Sequence, residues 1–243
     1  MLKVSNLYAG YNGADVIFDI NFEVQRGESL CVLGPNGCGK STLLKSIARI
    51  IDFKGKVLID GDDSSNLPRK ELAKKIALLS QSSQVFFPYT VYETVSMGRY
   101  AWSDENIDII EETLKKLDIY DIKDRNIDEL SGGTLQRVFL ARAFAQTPDI
   151  ILLDEPANHL DLKYQIELLG FLKSWVKENK KAMIGVFHDL NMARQFGDKT
   201  IVMNDGKIAA RTDIGEVLSG EVLNTVYGVD IRSFIIKSLE MWK

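Results

Sequence analysis

No apolar run in this 243-residue chain approaches the roughly 18 residues that a helix needs to cross a bilayer. Any membrane role is therefore expected to come through a partner. Cysteine is scarce: Cys31 in an apolar stretch and Cys38 in a glycine-rich one have no metal-ligand spacing, and reduced thiols are the expected state. Positive charge is not in excess either. The 30 lysines and arginines are outnumbered by 34 aspartates and glutamates, for a formal net charge of −4. Lysines come in scattered pairs such as Lys74-Lys75 and Lys180-Lys181, which form no basic stripe, so nucleic acid is not an expected ligand. The opening Met1-Leu2-Lys3-Val4-Ser5-Asn6 lacks the apolar region of a signal peptide. No internal repeat, low-complexity tract or linker is legible. What remains, 45% hydrophobic and 26% charged, is an ordinary globular composition, long enough for one α/β domain or a domain carrying an inserted lobe.

Against that background one segment stands out. Gly34-Pro35-Asn36-Gly37-Cys38-Gly39-Lys40-Ser41 fits G-x-x-x-x-G-K-[ST], between the apolar strand Ser29 to Leu33 and a helix beginning near Lys40-Ser41-Thr42. Glycines in that setting turn backbone N–H groups toward phosphates at a helix N-terminus. A nucleoside triphosphate is expected there on Asn36, Gly37, Cys38, Gly39, Lys40, Ser41 and Thr42, with Lys40 reaching the β- and γ-phosphates and the Ser41 hydroxyl ligating Mg²⁺.

The surrounding pattern predicts α/β alternation. Phe18, Ile20, Phe22 and Val24 alternate with polar residues, a half-buried strand that starts an antiparallel N-terminal part. Further strands are expected at Lys56 to Ile59, Ile76 to Leu79, Ile150 to Leu153, Met183 to Phe187 and, last, Thr200 to Met203. Between Gln81 and Pro148 the periodicity turns helical, with a capping box at Thr90-Val91-Tyr92-Glu93 and Ile107, Ile110, Leu114 and Leu117 at helical spacing. An amphipathic helix is expected through Leu162, Ile166, Leu169, Leu172 and Val176. The reading is a single unit spanning 1–243, with a core of about 1–84 and 148–243 and a helical subdomain of about 85–147.

Two further segments bear on chemistry. Ile150 to Leu153 delivers Asp154 and Glu155 at a strand's C-terminal end, the edge where open α/β sheets bind ligands. Beside a P-loop, Asp154 suits Mg²⁺ and Glu155 suits a general base on the attacking water; alone, the pair is equally a solvated strand cap. Leu130-Ser131-Gly132-Gly133-Thr134 opens a second glycine-rich helix, either a second anion site or a simple serine N-cap.

The order of these segments, P-loop, Gln81, Leu130-Ser131-Gly132-Gly133, Asp154-Glu155, then His188 after a strand, resembles the ATP-binding-cassette ATPases over essentially the whole chain. The resemblance implies a P-loop NTPase (RecA-like) core with an N-terminal antiparallel β subdomain and an inserted α-helical subdomain. It implies a head-to-tail pair of chains in which Ser131, Gly132 and Gly133 of one close on the γ-phosphate held by the other. By the same resemblance Gln81 senses Mg²⁺ and the attacking water, His188 contacts the γ-phosphate, Asp161 communicates across the pair, and Tyr11 stacks on adenine, with Tyr8 as its competitor. Lys40, Gln81, Glu155 and His188 form the expected catalytic set; Ser41, Gln81 and Asp154 hold the metal. Thr134 stands where the family usually has glutamine, Ser80 where proline is frequent, and Ala157 where threonine is common.

Val95-Ser96-Met97-Gly98-Arg99-Tyr100, His188-Asp189-Leu190-Asn191-Met192-Ala193 and Val226-Tyr227-Gly228-Val229 resemble the subfamily that powers uptake of iron-siderophore, haem and cobalamin complexes. The implied setting is the cytoplasmic face of the cell membrane, with integral membrane permease subunits as partners and an extracytoplasmic substrate-binding protein as an indirect one. The alternative is a cassette ATPase of an iron-sulfur-cluster assembly scaffold. Phe86-Phe87-Pro88-Tyr89 is expected either to form the groove that receives the permease or to pack the helical subdomain's own core.

Overall fold

The computed structural model describes residues 1–80, 87–158, 160–219 and 221–240. The chain opens with β1 (Leu2–Tyr11), β2 (Ala14–Val24) and β3 (Ser29–Leu33), followed by α1 (Lys40–Ile47), β4 (Phe53–Ile59), β5 (Asp62–Asp63), α2 (Arg69–Lys75) and β6 (Ile76–Leu79). Between β6 and β7 the described elements are helical: α3 (Val91–Ser96), α4 (Ile107–Lys116) and α5 (Gly132–Ala145), with short 3₁₀ turns. Strand and helix then alternate again through β7 (Ile150–Asp154), α6 (Leu162–Glu178), β8 (Ala182–Val186), α7 (Leu190–Phe196), β9 (Lys199–Asn204) and β10 (Lys207–Thr212). The chain finishes in α8 (Ile214–Ser219), α9 (Glu221–Tyr227) and α10 (Ile231–Glu240).

Two sheets result. An antiparallel one has the order β2-β1-β4-β5, and a six-stranded one has the order β10-β9-β3-β8-β7-β6, parallel except for its β10 edge. The parallel strands are mostly apolar, as fits a sheet covered on both faces. Leu30, Val32, Ile150, Leu152, Ile184 and Ile201 join the core shared with the antiparallel sheet and α1. Cys31, Leu33, Ile151, Leu153, Met183 and Val202 face the opposite core, built with α5, α6 and α7. Successive residues on one strand thus serve different layers, as the two-residue repeat demands.

Local signals account for the helix starts. Thr90 and Glu93 form the expected capping box: Thr90 Oγ1 accepts from Glu93 N at 3.1 Å, and Glu93 Oε2 accepts from Thr90 N at 2.8 Å. Three expectations need correction. Leu162 and Ile166 lie exposed, because α6 turns its buried stripe inward only from Leu168 and Leu169 onward, and Ile107 is exposed at the start of α4. Thr200 to Met203 is not the last strand: Asp205 and Gly206, both at positive φ, make a tight turn into β10, whose partly exposed alternation is a weak apolar signal. Helices α8 to α10 were not anticipated.

Candidate nucleotide site

The site follows from strand order. In the parallel sheet β3, β8 and β7 are neighbours, and their register sets Val32 opposite Val186 and Val186 opposite Asp154. The loop after β3, His188 after β8 and the acidic pair closing β7 therefore leave the sheet at one edge, although the acidic pair and His188 lie over a hundred residues beyond the loop in the sequence. Gln81 lies outside the described residues, as do Phe86 and His159; β6, which precedes Gln81, borders β7 with Leu79 opposite Leu153.

The loop from Gly34 to Ser41 holds a conformation that glycine permits. Gly34, Gly37 and Gly39 have φ of 145°, 80° and 104°. A Cβ on Gly34 would stand 2.3 Å from the Met203 carbonyl oxygen, and one on Gly39 2.5 Å from Ile17 Cγ2. Gly39 is the N-cap of α1 and offers no side-chain cap, which leaves the first N–H groups of that helix facing a cleft of about 500 Å³. Asn36, Gly37, Gly39, Lys40, Ser41, Thr42, Glu155 and His188 line the cleft together with Val16 of β2, which the sequence reading had not singled out. Lys40 is buried, and its ammonium donates to the carbonyls of Gly34 and Pro35, both at 2.8 Å. The Cys38 side chain turns away into the core, and burial pushes its thiol pKa up, as it does for Cys31. Burial thereby favours the thiol over the thiolate at both positions.

At the acidic edge, Asp154 is 3% exposed and its Oδ1 has no hydrogen-bond partner. Burial raises its pKa, and a hydrogen bond with Ser41 acts in the opposite direction. A buried carboxylate oxygen without a donor, with the Ser41 hydroxyl of α1 bonded to the same side chain, is a donor set that suits a hard cation. Glu155 follows in the left-handed region, φ 55°, which costs a non-glycine residue energy and reverses the chain out of the strand. One carboxylate oxygen pairs with His188 Nε2 and the other accepts from Asn158 Nδ2. Asn158, a neighbour of Asp161 in the sequence, is a partner of Glu155 that spacing alone did not assign.

The ABC transporter family profile matches residues 17–158, more than half of the chain and the span that carries this loop and acidic pair. The chain belongs to the ABC transporter family. It is 43% identical over 236 residues to an uncharacterized ABC transporter ATP-binding protein of Methanocaldococcus jannaschii, covering 95% of this chain and 92% of that one. It is 34% identical over 243 residues to the ferric enterobactin transport ATP-binding protein of Escherichia coli, covering 97% and 89%. Among solved structures it matches the dimeric post-hydrolysis state of an ATP-binding cassette bound to ADP and Pi, with a TM-score of 0.80 at 30% identity over 88% of this chain and 99% of that one. This cassette is accordingly an ATP-binding protein and an ATPase, and it resembles the iron-chelate importers of its family.

The rest of the cassette's expected site is dispersed. Ser131 N-caps α5, its hydroxyl accepting from Thr134 N at 3.3 Å and lying 2.9 Å from Thr134 Oγ1. Thr134 thus closes the cap locally, which the usual glutamine does not do with a hydroxyl. Ser131 and Thr134 border a separate cavity of about 540 Å³, and neither Ser131, Gly132 nor Gly133 lines the P-loop cleft. Asp161 N-caps α6 by accepting from Tyr164 N at 3.0 Å. Tyr11 is 42% exposed and lines a shallow cavity with Tyr8, at the tip of the hairpin whose second arm carries Val16. Of the Phe86 to Tyr89 stretch, Phe87 and Tyr89 are exposed and contact each other's rings, so they do not pack the helical core.

Proposed function

We propose that this cassette is the ATP-hydrolysing subunit of a metal-chelate importer, working as a head-to-tail pair beneath two permease subunits fed by an external binding protein. The observation that carries the reading is the separation of the two glycine-rich helix starts: the Ser131 end of α5 borders one cavity while Lys40, Ser41 and Glu155 line another. A single chain then presents two incomplete halves, and a second copy in antiparallel arrangement supplies the missing one to each. The import assignment leans on the ferric enterobactin relative and on exposed Phe87, Tyr89 and Tyr100 on the helical subdomain. No helix among the described residues is long and apolar enough to cross a membrane. The division into a core of about 1–84 and 148–243 and a helical signature subdomain of about 85–147 belongs to the same proposal.

In this reading the N–H groups at the start of α1 hold the phosphates, Lys40 leaves the loop carbonyls to meet the β- and γ-phosphates, and Tyr11 stacks on the adenine. Ser41 and Asp154 would hold Mg²⁺, and Gln81, the third metal ligand that the family resemblance implies, lies outside the described residues; when bound, Mg²⁺ neutralises charge developing on the phosphate oxygens. Glu155 accepts the proton of the attacking water. Its backbone turn and its bonds to His188 and Asn158 aim the carboxylate into the cleft, and His188 exchanges that bond for one to the γ-phosphate.

The test is isolation of the tagged chain from membranes of its native host, with uptake of an iron chelate measured alongside. Co-isolation with an integral permease, and uptake lost in Lys40→Ala, is the expected result. Co-isolation with iron-sulfur assembly proteins and unaffected uptake would overturn the importer assignment in favour of a scaffold ATPase.

A further inference from the structure

The P-loop is tied to the far end of the chain. Gly34, its first residue, donates its backbone N–H to the phenolic oxygen of Tyr227 at 3.1 Å, across 193 positions of sequence. The Gly34 carbonyl accepts from Lys40 Nζ at 2.8 Å, so the two peptide groups of this residue are held from opposite sides, one by a C-terminal helix and one by the catalytic lysine. Gly34 also has a conformation and a close neighbour that exclude any other residue.

Tyr227 is well placed to act as an anchor. It ends α9 and packs, half-buried, against the core that backs β3, β7 and β8. The corner that follows is pinned: Gly228, at φ 70°, donates to the Asn224 carbonyl at 2.9 Å, and Asn224 Oδ1 accepts from Ile231 N at 3.0 Å. Burial raises the phenol's pKa, and the hydrogen bond from the Gly34 amide acts in the opposite direction.

We propose that Tyr227 is a positioning residue for nucleotide binding, its hydroxyl holding the first peptide of the phosphate loop in the conformation that receives the phosphates. The inference rests on the assignment of residues 34–41 as the phosphate cradle. A loop freed at Gly34 samples more conformations, and the cost of ordering it is drawn from binding. Once nucleotide is bound, the phosphates themselves order the loop. The effect therefore falls on affinity and leaves the chemical step alone.

The test is Tyr227→Phe, which keeps the ring and removes only the acceptor. MgADP affinity should fall, and the KM for ATP should rise, by about three- to tenfold, the range of one ordinary hydrogen bond, with kcat little changed and faster hydrogen exchange at the Gly34 amide. Equal affinity and equal exchange in the variant would overturn the proposal. So would a lower melting temperature with unaltered affinity of the folded protein, which assigns the hydroxyl to stability alone. Lys40→Ala, measured in parallel, separates the two layers. Loss of binding in Lys40→Ala with none in Tyr227→Phe rejects only the tether, whereas normal binding in Lys40→Ala rejects the cradle assignment and the tether with it.

Discussion

Asp154 and Glu155 are adjacent, yet the fold gives them opposite environments. Asp154 ends a buried strand with one oxygen unpartnered, whereas Glu155 is turned by a left-handed backbone toward His188 and Asn158. Because the folded-state pKa of Asp154 is raised, the native state binds its proton more tightly than the unfolded chain does, and stability falls as pH rises from the ordinary aspartate range through that raised value. Wherever it is ionised, the buried carboxylate is then a cost that a cation offsets. Asp154→Asn should raise the melting temperature of the nucleotide-free protein, since it removes the buried charge, while weakening the further stabilisation by Mg²⁺ with ATP. Thermal melts with and without MgATP check both halves, and a destabilised nucleotide-free variant would contradict the account. Glu155→Gln should keep ATP binding and lower turnover by about 10² or more, since a positioned base supplies 10²–10⁴; near-wild-type steady-state hydrolysis would remove Glu155 from that role.

At the scale of elements, the 3₁₀ segment Met97–Trp102 after α3 is bolted to the C-terminal end of α5. Arg99, 3% exposed, donates to both Asp104 carboxylate oxygens at 2.8 Å and to the Ala145 carbonyl and Thr147 hydroxyl at 3.0 Å. Gly98 leaves no room for a Cβ beside the Arg142 carbonyl, 2.2 Å away. In the proposed pairing, a displacement at Ser131 would pass along α5 to the segment that carries Tyr100. Phe87→Asp should leave the ATPase activity of the purified chain intact yet prevent permease recruitment and uptake, because an unpaired carboxylate in an apolar interface is strongly disfavoured. Permease pull-down with the folded variant measures this; unimpaired recruitment would place the docking surface elsewhere.

At the scale of the whole molecule, the proposed pairing of two chains makes a sharper claim than any single substitution. Ser131→Arg should block turnover with little effect on ATP affinity of the isolated chain, since the P-loop cleft does not contain Ser131. Mixed with Lys40→Ala chains, it should regain nucleotide trapping at one composite site, a property absent from either homodimer. No trapping in the mixture would argue against the head-to-tail arrangement.

The sequence by itself determined the elements that local rules govern. The strand before Gly34, the capping box at Thr90, the serine cap at Ser131 and the helix from Lys40 follow from periodicity and from side chains meeting a backbone group within a few residues. The acidic strand end was legible for the same reason. Leu162 and Ile166 were misassigned because an apolar stripe does not say where along a helix its partner surface begins. The C-terminal helices were missed because their short apolar runs fall outside the motifs. Only the tertiary structure decided that β8 lies between β3 and β7, which brings His188 to Glu155; that Val16 closes the cleft; and that Tyr227 reaches Gly34. Those contacts depend on strand order and on the register between neighbours, and neither leaves a periodic trace in a single chain.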